Sequence, residues 1–326
     1  MNTSNFTLAG KYACILKDKT FKVTVCRPEN EELLRDIIQL LIPERRISSL
    51  TLGREENSGL SVSEKTVIFD CICTDAESNT TFVVELQCAE MFSYRDRMLC
   101  YATYPIRDQL ASKLASRKTY KDIDRMDYSL NPTYVVSIVD FALEHVSAEG
   151  LDDNGLISRY AIRNDGNGEL MTDALHFVYL ELGRLPYGRD ESDKCTSLLE
   201  QFAYSVKYIH ELTALPKGFE DPMLERLYRS TELALMSPEQ RRKYDKEMRT
   251  WLDEVAEKRF AREKGLAEGR AEGRTEGLAE GDRAAREEIA ANLLASGIDA
   301  VTVAKATRLS VDDVEALTAE MPRQNE

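Results

Sequence analysis

Three histidines and one tryptophan are all that 326 residues provide of those types, and basic side chains number 43 against 57 acidic ones. His145, His176 and His210 stand singly, and Cys71-Ile72-Cys73 has no second Cys or His pair near it, so the spacing of a structural zinc site is missing. A net charge of -14 excludes a protein that holds nucleic acid by bulk attraction. Any phosphate contact has to rest on a local patch or a bound cation. No apolar run approaches the roughly 18–20 residues of a membrane span, and residues 1–10 lack the basic start and apolar stretch of a signal peptide. The expectation is a cytoplasmic chain with no membrane partner. Seven cysteines, an odd number with three in the most apolar part of the sequence, read as reduced thiols.

The length suggests about two domains. A hydrophobic fraction of 43% lies below the usual 45–50%, and a charged fraction of 31% lies above the usual ~25%, so part of the chain should be unusually solvated. Leu33, Leu34, Ile37, Ile38 and Leu41 recur at helical spacing within 30–42, and Pro43 stops that helix. A short strand is expected over 46–52, then a hairpin of strands 66–74 and 81–88 around a polar connection. Residues 91–115 read as a helix that Pro105 kinks or divides, and 134–141 as a strand covered on both faces. Further strands are expected at 158–163 and 174–182, and helices at 195–212, 223–236 and 238–264. The order helix, three strands, helix, strand is that of an α+β or α/β core, αβββαβ, followed by an α-helical C-terminal half; α/β is the fold class expected.

Alternation places Cys71, Cys73, Phe82, Val84 and Leu86 on one apolar face of the hairpin, and Asp70, Ile72, Val83, Glu85 and Gln87 on the other. Pairing Thr74 with Thr81 sets Asp70 opposite Glu85, at a Cβ separation of about 5 Å where like charges repel. A shared proton, an intervening Arg or Lys, or a divalent cation would relieve that repulsion. Oxygen donors of this kind suit Mg²⁺. A chance cluster on a solvated sheet face is the competing explanation.

These residues also carry a family resemblance. Lys65, Asp70 and Glu85-Leu86-Gln87 resemble the PD-(D/E)xK nuclease motif in an E-x-Q variant. Asp18-Lys19-Thr20-Phe21-Lys22, Val84-Glu85-Leu86-Gln87, Arg97-(x3)-Tyr101 and a tail of Glu-Gly repeats resemble, in that order, the recombination-promoting nuclease (Rpn) family. The resemblance implies a restriction-endonuclease-like core, a DNA partner, and Mg²⁺ or Mn²⁺ held by Asp70, Glu85 and the Leu86 carbonyl. It makes Asp70, Glu85 and Gln87 the catalytic set, with Lys65, Arg97 and Tyr101 as accessory or phosphate-binding candidates. Two departures stand out. Gln87 replaces the family's usual lysine and can only orient water by hydrogen bonds, and Phe69 replaces the proline before the aspartate. Arg95, Arg97, Arg107, Lys113, Arg117 and Lys118 give the segment after Gln87 a local basic bias.

Residues 265–281 repeat glycine every fourth position, a cost of about 4–5 kcal/mol in a helix relative to alanine. On a helix the glycines are flanked by Glu268, Glu272, Glu276 and Glu280 on one side, and by Arg270 and Arg274 on the other. Two parallel copies would set glutamates against arginines, so this segment is expected either to self-associate as a helix or to serve as a flexible linker. Residues 301–317 have helix-turn-helix rhythm, but Asp312, Asp313 and Glu315 on the second helix favour an assembly module over a DNA reader. The expected divisions are a nuclease-like domain 1–190, a helical region 191–264, the repeat 265–281 and a small helical module 282–326. The functional expectation is a metal-dependent DNA endonuclease acting in recombination or transposition. The alternatives are a non-catalytic scaffold, or a DNA-binding transposon accessory protein that has lost cleavage.

Overall fold

The computed structural model of the chain describes residues 10–53, 56–57, 67–68, 70–88, 90–115, 128–144, 151–152 and 155–320. Lys65, Phe69, Arg117, Lys118 and His145 lie outside the described residues. Contacts divide the chain into two units, Met1–Met248 and Arg249–Glu326.

The first unit opens with helices α1 (Asp18–Thr24) and α2 (Glu31–Leu41). The apolar stripe of α2 is buried throughout, Leu33 to Leu41. Strands β1 (Leu50–Leu52), β2 (Glu56–Asn57), β3 (Val67–Ile68), β4 (Cys71–Asp75) and β5 (Thr81–Gln87) follow. Helix α3 (Tyr94–Ala115) then crosses to β6 (Thr133–Val139), and β7 (Leu151–Asp152), β8 (Ile157–Ala161) and β9 (Leu175–Glu181) complete the strands. Seven strands form one mixed sheet in the order β1-β4-β5-β6-β9-β8-β7, while β2 and β3 pair separately. β6 lies parallel to both β5 and β9, and every one of its residues is buried, as its continuous apolar sequence requires. The succession α2, β1, β4, β5, α3, β6 is the αβββαβ core.

Where the strands are shorter than the sequence suggests, side chains have taken over the backbone bonds. The N–H groups of Ser48 and Ser49 donate to Asp75 Oδ1, at 2.9 and 3.3 Å, so β1 begins only at Leu50. The expected strand 66–74 is divided between the small β2–β3 sheet and β4, and the break falls at Asp70. Pro105 lies inside α3 without dividing it.

α3 covers the sheet face that bears Val83 and Glu85. Val83, Val135 and Val139 pack with Tyr94, Met98 and Ala102, so this face is buried rather than solvated. Helices α4 (Leu198–Tyr208) and α5 (Pro222–Thr231) follow the sheet and lie within the first unit. α4 starts on a capping box between Ser197 and Glu200, and α5 on Asp221, whose side chain accepts from Met223 N–H at 2.8 Å. Arg226 of α5 pairs with Asp36 of α2.

Helix α6 runs Pro238–Ala295 and contains the glycine repeat. In the second unit its last turns pack with α7 (Ala300–Thr307) and α8 (Val311–Glu320) around Ala290, Val303, Ala304 and Val314. Arg308 turns the chain between α7 and α8 with φ +61°, and Ser310 Oγ accepts from Asp313 N–H at 3.0 Å to start α8. No helix among the described residues is long and apolar enough to cross a membrane.

Candidate active site

The β4–β5 hairpin has the register that alternation predicts, with Thr74 opposite Thr81 and Cys71 opposite Val84. One step beyond Cys71 the ladder gives way to a side-chain exchange. Asp70 N–H donates to Glu85 Oε1 at 3.2 Å, and Leu86 N–H donates to Asp70 Oδ2 at 2.9 Å. Each carboxylate is thus anchored on the backbone that carries the other. Asp70 is 6% exposed and Glu85 3%. Leu86 meets Asp70 through its N–H; its carbonyl is the donor atom that the resemblance assigns to a metal.

Two buried carboxylates this close need cations, and the chain supplies one for each. Lys22 Nζ of α1 lies 3.8 Å from Asp70 Oδ1, and Arg97 Nη2 of α3 lies 3.9 Å from Glu85 Oε2. Arg97 also donates from Nη1 to Gln87 Oε1 at 3.2 Å and from Nε to the Tyr101 hydroxyl at 3.2 Å. Burial opposes the guanidinium's charge, but the bonds to Tyr101 and the field of Glu85 outweigh it and hold the pKa above the ordinary arginine range. Gln87, Arg97 and Tyr101 therefore form one unit against Glu85. Gln87 O accepts from Asp140 N–H at 2.9 Å, which brings Asp140 to the same end of the sheet. Burial raises the Asp140 carboxyl, with the charges of Lys207 and Lys17 working against it.

Three further basic residues after Gln87 are engaged elsewhere. Arg95 Nη2 donates to the Glu144 carbonyl at 2.6 Å, Arg107 pairs with Asp108 at 3.4 Å, and Lys113 bonds to Ser129. Tyr94 is core, and Tyr101 and Tyr104 pack beside it. All seven cysteines are free thiols.

Sequence reasoning placed Asp70, Glu85, Gln87, Arg97 and Tyr101 in the motif, and the fold brings all five together. It missed Lys22 and Asp140 as neighbours of the site. Lys22 stood in the opening Asp18-to-Lys22 motif, the signal that could have been followed. Asp140 had no signal beyond its position at the end of an apolar strand.

Two family profiles match the chain. That of the PD-(D/E)XK nuclease family transposases covers residues 15–261, from before α1 into α6. That of the C-terminal HTH domain of the Rpn/YhgA-like nuclease family covers residues 283–319. The three-helix tail, expected from its acidic second helix to be an assembly module, thus matches a helix-turn-helix domain. No curated protein and no solved structure is a match to the chain. With three-quarters of its length matched, αβββαβ core and carboxylate pair included, the chain belongs to the PD-(D/E)XK nuclease family transposases.

Proposed function

We propose that the chain is a Mg²⁺- or Mn²⁺-dependent endonuclease that hydrolyses DNA phosphodiester bonds, in the service of recombination or transposition. The observation that carries this reading is the Asp70–Glu85 pair, two almost fully buried carboxylates held side by side by each other's backbone. Among the described residues no group of three or more His, Cys, Asp and Glu side chains is arranged to hold a metal ion. Two carboxylates without a third protein acid fit Mg²⁺ or Mn²⁺ better than zinc or calcium, because Mg²⁺ completes its shell with water and substrate phosphate. Asp70 and Glu85 would hold the ion, with the Leu86 carbonyl as a third ligand. When bound, it supplies a more acidic water and positive charge for the phosphate.

The chain's own residues do the positioning. Lys22, Arg97, Asp70 and Glu85 contribute two charges of each sign, so a divalent cation would turn this cluster positive within a protein of net charge -14. That is the local patch a phosphate needs. Gln87 orients water through its amide. Arg97, braced by Tyr101 and Gln87, would be the phosphate-binding cation beside Glu85. The helix-turn-helix match supports a second DNA contact through the tail. Asp313 there is partly neutralised by Arg283, 3.6 Å away.

Self-association through α6 is supported by the repeat. A Cβ added at Gly265, Gly269, Gly273, Gly277 or Gly281 would meet nothing within 4 Å, so nothing among the described residues requires glycine there. Arg270 and Arg274 stand four residues apart, as do successive glutamates from Glu268 to Glu280, so each row repels itself along a single helix. A second copy with the opposite row facing it relieves both.

Nicking of supercoiled plasmid with Mg²⁺, Mn²⁺ or EDTA, comparing the natural chain with Asp70→Ala, tests the reading. Metal-dependent nicking lost in the variant is expected. Nicking that survives the substitution assigns it to a contaminant, and a folded chain that never nicks leaves a DNA-binding protein without cleavage.

A further inference from the structure

The E-x-Q site has one chemical role with no obvious holder. Lysine at the third motif position would stabilise developing negative charge, whereas the Gln87 amide carries none. Its Oε1 is turned to Arg97. Arg97 in turn is shared among Glu85, Gln87 and Tyr101, on the side of the pair away from Asp70.

On the Asp70 side stands Lys22, its Nζ 3.8 Å from Oδ1 and its side chain 18% exposed. An ammonium drawn this far from water is held by the carboxylate it faces. The helix that delivers it is anchored independently of that contact. Phe21, Thr20 and Thr24 of α1 are buried, Thr20 Oγ1 donates to Glu247 Oε2 at 3.0 Å, and Lys19 N–H donates to Glu247 Oε1 at 3.2 Å. Phe21 and Thr20 thus hold α1 while Lys22, next to Phe21, reaches the Asp70 carboxylate.

The geometry points to Lys22 as the active-site cation, delivered from α1 in place of the lysine that the E-x-Q motif lacks. This rests on the nuclease reading. Lys22 is the counter-charge of Asp70 in the metal-free chain and, in the loaded site, stabilises the negative charge that grows on the phosphate during attack. Lysine and arginine can both serve a role of that kind, while an amide cannot.

The test uses the full chain in three forms: natural, Lys22→Gln and Lys22→Arg. Mn²⁺ is titrated calorimetrically without DNA, and plasmid nicking is measured beside it. Lys22→Gln should bind Mn²⁺ about fivefold tighter or more, because a cation next to a ligand has gone. It should nick about 100-fold more slowly. Lys22→Arg should return both values towards those of the natural chain. Full nicking by Lys22→Gln overturns the proposal, as does Mn²⁺ affinity that stays the same or falls. If Lys22→Gln fails to fold by circular dichroism, Lys22→Met, which keeps the apolar stem, takes its place with the same criteria. A natural chain that binds Mn²⁺ but never nicks defeats the nuclease reading instead, and the affinity comparison then decides separately whether Lys22 is the counter-charge of the pair.

Discussion

Asp70 N–H points at the carboxylate of Glu85, 3.2 Å from Oε1, at the point where the strand leading into β4 breaks. A backbone donor that would ordinarily serve the ladder serves the acidic pair instead. The pair is therefore part of the sheet's bonding, and removing either member disturbs structure as well as charge.

Asp70→Ala takes an acceptor from both Leu86 N–H and Lys22, so it should destabilise the metal-free protein by about 1–3 kcal/mol. Asp70→Asn keeps an oxygen for Leu86 and should cost less, and both should lose nicking. Urea denaturation with EDTA measures the difference. An alanine variant as stable as the natural chain would mean that repulsion between the carboxylates outweighs their bonds.

Gln87→Lys would restore the residue commoner in the family, but it sets an ammonium where the Arg97 guanidinium now donates to an amide oxygen. Like charges at that distance repel, so the variant should lose about 1 kcal/mol or more of stability. Its nicking should not exceed that of the natural chain. Adding Arg97→Gln should recover the stability, and a single variant that gains both stability and activity would refute this account.

His210, after α4, is pushed down to about 4 by burial and then by the charge of Lys17. The unfolded chain takes up its proton near pH 6.5, so between 6.5 and 4 the unfolded state binds more protons. The neutral histidine's contribution is complete above pH 6.5 and is lost as pH falls towards 4. Between pH 7 and pH 5 the natural chain should lose about 2 kcal/mol more than His210→Gln in matched denaturation curves. Parallel pH profiles would show that His210 is protonated in the fold.

Changing Arg270 and Arg274 to Glu should lower the mass seen by light scattering at low ionic strength, and adding Glu272→Arg with Glu276→Arg should restore it. Exposed pairs are worth at most about 1 kcal/mol each and are screened by salt, so the effect should fade near 0.5 M NaCl. A mass indifferent to both changes makes the repeat a spacer.

Much of the core was legible because its signals are local. The register of the hairpin follows from the alternation on either side of Asp75 to Thr80, and β6 from its unbroken apolar run. Asp70, Glu85 and Gln87 share one hairpin, so a register suffices to bring them together. Lys22 was not legible as a neighbour of Asp70, since its approach depends on where α1 packs, a matter of tertiary contacts that no periodicity encodes. The strand break was hidden for a related reason: residues 66–74 have strand composition throughout, and only the competing carboxylate of Glu85 diverts the N–H of Asp70. In the tail, the acidic second helix weighed against a DNA reader, and composition alone does not show that Asp313 is tied to Ser310 and Arg283.

The glycines of α6 recur every four residues, while an α-helix turns once in 3.6. Each repeat therefore carries the glycine row about 40° further round the axis. Hydrophobic periods shorter than 3.6 wind helices into left-handed coils, and longer ones wind them right-handed. Two copies that keep this row between them along the whole repeat must twist about each other in the right-handed sense, opposite to a leucine zipper, and a heptad-based partner would lose contact with it after little more than two repeats.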